Sequence, residues 1–143
     1  YTHPDGIVLR STYHVFDLYV NYLGDTVLDC WQQEIPTMKV THKNGTEKEV
    51  HLLDVLATKW TDRDGLALAV VNKHPSESQN IELSFPCSAK HVMKYSISGA
   101  HKDSYNDIER NEIEIQMEDL GPFHPGMKVD VNPHSVNIIQ MNP

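Results

Sequence analysis

The sequence has 143 residues, 39% of them hydrophobic, which suits a single folded domain with its own core. Its formal net charge at pH 7 is −8, which argues against nucleic acid and anionic membrane surfaces as partners, because both attract clustered Lys and Arg. The longest strictly apolar run, residues 66–71, is far shorter than the roughly 18 residues that a membrane-spanning helix needs.

The first predicted element is a helix close to the N-terminus. Four apolar residues recur at the spacing i, i+3, i+4 and i+7 and therefore share one helix face: Phe16, Tyr19, Val20 and Leu23. Ser11 or Thr12 is expected to cap the N-terminus, and Gly24 to take the left-handed position after the C-terminus. Four more apolar or aromatic residues lie elsewhere around the cylinder, which predicts packing on more than one side: Tyr13, Val15, Leu18 and Tyr22.

From about residue 26 the hydrophobic period changes to two, the period of a β-strand. The alternation predicts about nine strands, among them residues 38–41, 47–56, 66–71, 81–85, 112–117, 129–131 and 135–141. Residues 66–71 are apolar on both faces and are expected to form a central strand. The predicted fold is all-β: an antiparallel β-sandwich or jelly roll over residues 26–143, preceded by residues 1–25 with one α-helix.

Turn residues separate these strands. Asn44-Gly45 and Asp64-Gly65 predict two-residue turns of the primed type, since these residues tolerate positive φ. Asn44-Gly45-Thr46 is also a glycosylation sequon, but the turn explains it unless the protein is secreted. Longer loops are expected at residues 98–110 and 121–126.

No metal and no other cofactor is expected. Nine histidines lack the i, i+4 helical pair that favours zinc binding, and they lie at positions 3, 14, 42, 51, 74, 91, 101, 124 and 134. Cys30 and Cys87 are predicted to be two unpaired core thiols, with one disulfide left open for a secreted protein. Residues 1–5 do not resemble a signal peptide, so a cytoplasmic location is preferred to a secreted one without being decided.

No catalytic residue is predicted either. Asp62-Arg63-Asp64-Gly65 matches only part of a calcium loop and is interpreted as a turn. Glycoside hydrolysis needs two carboxylates about 5–9.5 Å apart in a cleft. Four acidic residues could supply such a pair, but they alternate with apolar residues, as on the solvated face of a strand: Glu112, Glu114, Glu118 and Asp119.

One segment near the N-terminus is the most specific part of the sequence: Thr12-Tyr13-His14-Val15-Phe16-Asp17-Leu18-Tyr19. It resembles the end of the catalytic barrel in the α-L-arabinofuranosidases of glycoside hydrolase family 51. Three later segments fit the same family in order: residues 54–58 (DVLAT), 68–74 (LAVVNKH) and 132–136 (NPHSV). Asn106 lies in a loop where the family has an Asn, whereas Ser11 stands where it often has Pro, and its usual proline after Asn106 is missing.

The resemblance implies a non-catalytic C-terminal portion of such an enzyme. In that family a (β/α)₈ barrel carries both catalytic glutamates and removes terminal α-L-arabinofuranosyl groups by a retaining mechanism. Residues 1–25 would contain the last barrel helix, and its excess apolar surface would face the barrel as a partner. Chain from before the barrel also completes the family's sandwich, so an open sheet edge and a homo-oligomer are expected here.

Two other functions remain as alternatives. A free-standing carbohydrate-binding module would stack sugars on exposed aromatic rings, for which Trp31, Trp60 and the tyrosines are the candidates. Core or interface packing is the simpler role for those rings. A small enzyme or metal protein built on the histidines is the other alternative, and metal analysis would identify it.

Overall fold

The computed structural model describes residues 1–86 and 88–143, so the prediction for Cys87 lies outside the described residues. Within them the chain forms one helix, α1 (Ser11–Tyr22), and twelve strands. Two short strands precede the helix: β1 (Thr2–His3) and β2 (Gly6–Ile7). The other ten follow it: β3 (Thr26–Leu28), β4 (Thr37–Thr41), β5 (Glu47–His51), β6 (Leu53–Lys59), β7 (Leu66–Asn72), β8 (Gln79–Glu82), β9 (His91–Ile97), β10 (Gln116–Asp119), β11 (Lys128–Val131) and β12 (Ser135–Asn142).

Six strands form one antiparallel sheet in the order β10-β9-β12-β7-β6-β3. β7 pairs with β12 on one side and β6 on the other, which confirms that residues 66–71 are central. The remaining strands form three antiparallel pairs, β1–β2, β4–β5 and β8–β11. The fold is therefore all-β with one N-terminal helix, in agreement with the predicted sandwich.

A hydrophobic cluster lies on each face of the six-stranded sheet. The larger one packs the sheet against the β8–β11 pair, and its fully buried members include Val70, Val129, Val131 and Ile139. On the opposite face the small side chains of Ala67 and Ala69 leave room for α1. The alternation of β7 thus serves two cores at once, because its odd and even side chains point to opposite faces.

The sheet covers only part of the stripe that the spacing singled out: Tyr19 and Leu23 pack against the cluster on the sheet, whereas Phe16 and Val20 do not. Leu18 is fully buried, and Val15, Tyr19 and Tyr22 pack beside it on the sheet. Phe16 and Val20, which were predicted to share the buried stripe, are 73% and 75% exposed. Two apolar stripes run along α1, and periodicity cannot tell which of them the sheet covers.

The helix ends also differ from the prediction. Arg10, not Ser11 or Thr12, is the N-cap residue, and the described side chains provide no capping hydrogen bond there. Gly24 does not adopt a left-handed conformation. It is required for space instead, because a Cβ at this position would lie 2.2 Å from the carbonyl carbon of Lys59. The Gly24 N–H donates to Thr58 Oγ1 (2.9 Å), which joins the end of α1 to β6.

Both predicted two-residue turns are longer. In the β4–β5 hairpin His42 donates to the Thr46 carbonyl (2.8 Å), and the Gly45 N–H donates back to the His42 carbonyl (2.9 Å). Gly45 has a φ of 81°, but the φ of Asn44 is not positive, as a primed turn would require. The connection is therefore a three-residue turn with a left-handed glycine. The β6–β7 connection spans residues 60–65 and includes Gly65 at φ of 130°.

Several strands are shorter than the alternation predicted. The segment 47–56 divides at Leu52 into β5 and β6, which belong to different sheets. Strand pairing along 81–85 ends at Glu82, and along 112–117 it begins only at Gln116. Ile113 is buried as predicted, but the side chain of Asn106 bonds both its N–H and its carbonyl, so it cannot pair with a neighbouring strand.

Candidate functional site

The outer side of α1 exposes three large apolar or aromatic side chains on consecutive helical turns. Tyr13, Phe16 and Val20 follow each other at i, i+3 and i+7, and all three are exposed. We call them the outer apolar face. Large apolar side chains exposed together are typical of surfaces that take part in an interaction.

Further apolar side chains are exposed near both ends of this helix. Val27 on β3 pairs with Thr58, so it lies on the sheet face that carries α1, and it is largely exposed. Ile7 and Leu9, in the segment that leads into α1, are exposed as well. The exposed apolar surface thus extends along the chain from the lead-in through α1 to the edge strand.

Two of the four acidic residues considered for catalysis, Glu112 and Glu118, are bound to basic groups. Arg110 Nε donates to Glu112 Oε1 (2.6 Å), and Lys94 Nζ lies 2.6 Å from Glu118 Oε2. The hydrogen bond from Arg110 lowers the pKa of Glu112. A general acid of a glycosidase needs the opposite shift, so Glu112 is suited to holding a loop and not to protonating a leaving group.

The two tryptophans differ sharply in how much of each ring is exposed. Trp31 is 91% exposed. Trp60 packs against the cluster under α1, and the guanidinium of Arg63 lies 3.9 Å from the centroid of its ring. One flat face of Trp60 is therefore covered, so the paired sugar platform that the sequence suggested is reduced to Trp31.

The cysteine prediction is wrong for Cys30, which is exposed and not part of a core. Cys30 lies in the connection between β3 and β4, and neither hydrophobic cluster includes it. Its side chain therefore stays exposed although a thiol is apolar enough to be buried. Among residues 1–86 and 88–143, no three His, Cys, Asp or Glu side chains lie close enough to hold a metal ion. The described helix is also too short to cross a membrane.

Two buried polar residues, Asn106 and Asn72, have clear structural roles. Asn106 donates to the carbonyls of Leu9 (2.8 Å) and Ile113 (2.7 Å), and it accepts from the N–H groups of Glu112 (2.9 Å) and Ile113 (2.8 Å). Asn72 Nδ2 lies within 3.2 Å of three carbonyl oxygens, those of residues 77, 131 and 132. The family resemblance singled out Asn106, the LAVVNKH segment and the NPHSV segment, and these are the segments that join distant parts of the chain.

Comparison with known proteins adds the family. The model of the α-L-arabinofuranosidase C-terminal domain matches residues 1–135. A search of curated protein sequences found no significant match.

Solved structures of α-L-arabinofuranosidases share the fold. The Thermotoga maritima enzyme in complex with arabinose has a TM-score of 0.83 at 22% identity, and the match covers 99% of this chain and 31% of that one. The family 51 enzyme of Thermotoga petrophila RKU-1 has a TM-score of 0.81 at 22% identity, with the same coverage. That of Xanthomonas axonopodis pv. citri has a TM-score of 0.69 at 17% identity, covering 94% of this chain and 26% of that one.

This chain therefore spans about a third of the length of these solved relatives. Their identities are low, so they establish the fold, while the family model covers nearly the whole chain. On that match, this chain belongs to the α-L-arabinofuranosidase C-terminal domain family.

Proposed function

We propose that this chain is the non-catalytic portion of an α-L-arabinofuranosidase and that it joins the catalytic (β/α)₈ barrel through the outer apolar face of α1. The observation that carries the proposal is the exposure of Phe16 and Val20 on a helix whose other side is already buried. Burying a side chain of this size contributes about 1.5–3 kcal/mol. Burial of the outer apolar face against the barrel therefore stabilises the contact between the two domains.

The barrel is the proposed occupant because of the place of this domain in its family. The match is to a C-terminal domain, and the solved relatives are about three times as long as this chain. Residues 1–25, with the lead-in and α1, are proposed to complete the barrel, and residues 26–143 to form the sandwich that follows it. α1 then lies between the two, with Leu18 toward the sandwich and Phe16 toward the barrel.

The parent enzyme is proposed to remove terminal α-L-arabinofuranosyl residues by a retaining mechanism with two carboxylates. Those carboxylates are proposed to come from the barrel. The carboxylates of this chain support that division, because Glu112 and Glu118 are held by Arg110 and Lys94 on an exposed surface. A catalytic pair has to face substrate across a cleft.

The first test is hydrolysis of an aryl α-L-arabinofuranoside by the folded 143-residue chain. No turnover is expected from this chain. Turnover that survives removal of host glycosidases would overturn the non-catalytic assignment.

The second test concerns the outer apolar face. The paired substitution Phe16→Ser and Val20→Ser should reduce the binding of a hydrophobic dye to this chain. In the full-length parent enzyme the same pair should loosen the domains and lower the melting temperature. Met117→Ser is the matched control, since Met117 is 69% exposed but lies on β10. Equal effects of the pair and the control would contradict the barrel contact.

We also propose that this chain on its own forms a homo-oligomer through an open edge of the six-stranded sheet. β10 and β3 are the two edges of the six-stranded sheet, and all four residues of β10 are exposed. Unpaired strand edges favour pairing with another chain, although Glu118 and Asp119 work against it. Sedimentation at increasing concentration should show a dimer or larger species. A monomer throughout would contradict this proposal.

The alternative of a carbohydrate-binding module rests on the open ring of Trp31. Affinity electrophoresis in arabinan should then retard the chain, and Trp31→Ala should abolish the retardation. Trp60→Ala is a poor probe, because that ring also packs against the core under α1.

A further inference from the structure

The tip of the β4–β5 hairpin places Asn44 directly before Gly45 on an exposed turn. All residues from 41 to 49 are exposed, and nothing lies within 4 Å of a Cβ at position 45. Within the described residues, β4 and β5 pair only with each other, so no further strand covers this tip. The side-chain amide of Asn44 is therefore open to water.

Thr46 makes the amide carbon of Asn44 more reactive. The Thr46 N–H donates to Asn44 Oδ1 (3.1 Å), and the Thr46 hydroxyl donates to the same oxygen (2.7 Å). Two donors on a carbonyl oxygen stabilise the negative charge that develops there when a nucleophile adds to the carbon, as in an oxyanion hole. The turn therefore favours nucleophilic attack at Asn44 Cγ.

The nucleophile within reach is the backbone nitrogen of Gly45. Its attack on Asn44 Cγ closes a five-membered ring. Glycine favours this closure, because no side chain crowds its nitrogen and its backbone rotates more freely than that of other residues. The Gly45 N–H donates to the His42 carbonyl (2.9 Å), so that hydrogen bond has to open first. Local opening of an exposed turn costs little free energy.

We propose that Asn44 is a self-modification site, at which the chain loses ammonia and gains a carboxylate. The Gly45 nitrogen forms a bond to Asn44 Cγ and loses its proton, while the bond from Cγ to Nδ2 breaks and Nδ2 takes up a proton and leaves as ammonia. Water then opens the five-membered imide at either carbonyl. One opening yields aspartate at position 44, and the other yields isoaspartate, whose main chain runs through Cγ. The net change is the exchange of ammonia for water, without oxidation or reduction.

The other asparagines lack this combination of neighbour and exposure. Asn132 and Asn142 precede proline, whose nitrogen carries no proton to lose. Asn111 is exposed but precedes Glu112, whose side chain crowds the attacking nitrogen. The remaining asparagines are buried or precede a residue with a large side chain: Asn21, Asn72, Asn80, Asn106 and Asn137.

The modification changes the hairpin in charge and in backbone length. It adds a negative charge to a chain whose formal net charge is −8. Isoaspartate also adds a carbon atom to the main chain of the tip, which disrupts the hydrogen bond from Gly45 to His42 and the register of β4 with β5. Met38 on β4 packs against the larger hydrophobic cluster. Conversion at position 44 therefore loosens the contact between this hairpin and the core.

Peptide mapping by mass spectrometry, after incubation of the folded chain in mildly alkaline buffer, tests the site. Asn44 should convert at least about tenfold faster than Asn111, the exposed asparagine that serves as the internal control. Aspartate and isoaspartate should both form. Asn44→Gln is the matched variant, since it keeps the amide but has to close a six-membered ring, and it should convert at least about tenfold more slowly. Equal rates at Asn44 and Asn111, or aspartate without isoaspartate, would overturn the proposal.

Thr46→Val separates the contribution of the folded turn from that of the Asn-Gly pair itself. Valine keeps the β-branched shape and removes the hydroxyl that donates to Asn44 Oδ1. In the folded chain this substitution should slow conversion at Asn44 by about threefold or more. In denaturant, the unsubstituted chain and Thr46→Val should convert at the same rate, because the turn is absent from both. Equal or faster conversion of folded Thr46→Val would overturn the activation of Asn44 by the turn.

Discussion

The side chain of Asn106 holds the carbonyl of Leu9, 97 residues earlier in the chain, with its Nδ2 2.8 Å from that oxygen. Leu9 directly precedes the N-cap residue of α1, Arg10. The same amide nitrogen and its oxygen also bind the backbone of Glu112 and Ile113. One buried amide therefore fixes the start of the helix and the end of the longest loop at the same point.

Replacing Asn106 should be among the most damaging single changes. Asn106→Ala leaves the carbonyl of Leu9 and both backbone groups of Ile113 without their partner, which should cost about 2–4 kcal/mol of unfolding free energy. Urea denaturation measures it. Asn21→Ala is the control, because Asn21 is exposed and bonds only Asp17 along the helix. Equal costs for the two substitutions would refute the role of Asn106.

The two faces of α1 should respond differently to truncation. Leu18→Ala removes a fully buried side chain between the helix and the sheet, which should cost about 2–5 kcal/mol. Phe16→Ala removes an exposed ring and should change the stability of this chain by less than about 0.5 kcal/mol. Thermal or urea unfolding of the two variants gives the comparison. A large cost for Phe16→Ala would place that ring in the core.

Gly24 should tolerate substitution less well than Gly45. A Cβ at position 24 would meet the Lys59 backbone at 2.2 Å, whereas nothing lies within 4 Å of a Cβ at position 45. Gly24→Ala should therefore cost about 2–3 kcal/mol through forced displacement of β6. Gly45→Ala should cost about 1 kcal/mol for its left-handed conformation. The reverse order in denaturant titrations would show that α1 and β6 separate easily.

Asp25 should make folding stability depend on pH in the acidic range. Hydrogen bonds from Thr61 and then Thr26 lower the pKa of this carboxyl. A folded-state pKa below the unfolded value stabilises the fold above the unfolded pKa, and that contribution is lost as the pH falls through the folded pKa. Asp25→Asn should therefore destabilise the chain near pH 7 and cost progressively less as the pH falls below about 4.

Unfolding midpoints measured from about pH 7 down to about pH 2.5 test this dependence. Asp62→Asn is the control, because it removes a carboxylate from the same loop as Thr61. If the unfolding midpoints of the unsubstituted chain and of Asp25→Asn differ by the same amount at every pH, the pKa of Asp25 is not lowered in the folded state.

Local patterns determined much of this protein. Alternation along residues 66–71 predicted the central strand, because a strand buried on both sides has to be apolar on both. The apolar excess on α1 predicted a helix with two covered sides, and the sandwich covers one of them. The family was identifiable because the segment from Thr12 to Tyr19 and the later segments keep their order in the sequence.

Contacts between distant residues decided the rest. The space above Ala67 and Ala69 determines which stripe of α1 faces the sheet. The sequence of the helix itself carries no information about that space. The start of β10 was missed because Asn106 binds the backbone of Ile113 from another part of the loop. Gly24 looks like a helix terminator in sequence, yet its role depends on Lys59 across the sheet edge. Periodicity records which residues avoid water, whereas only the tertiary structure determines which surface removes them from it.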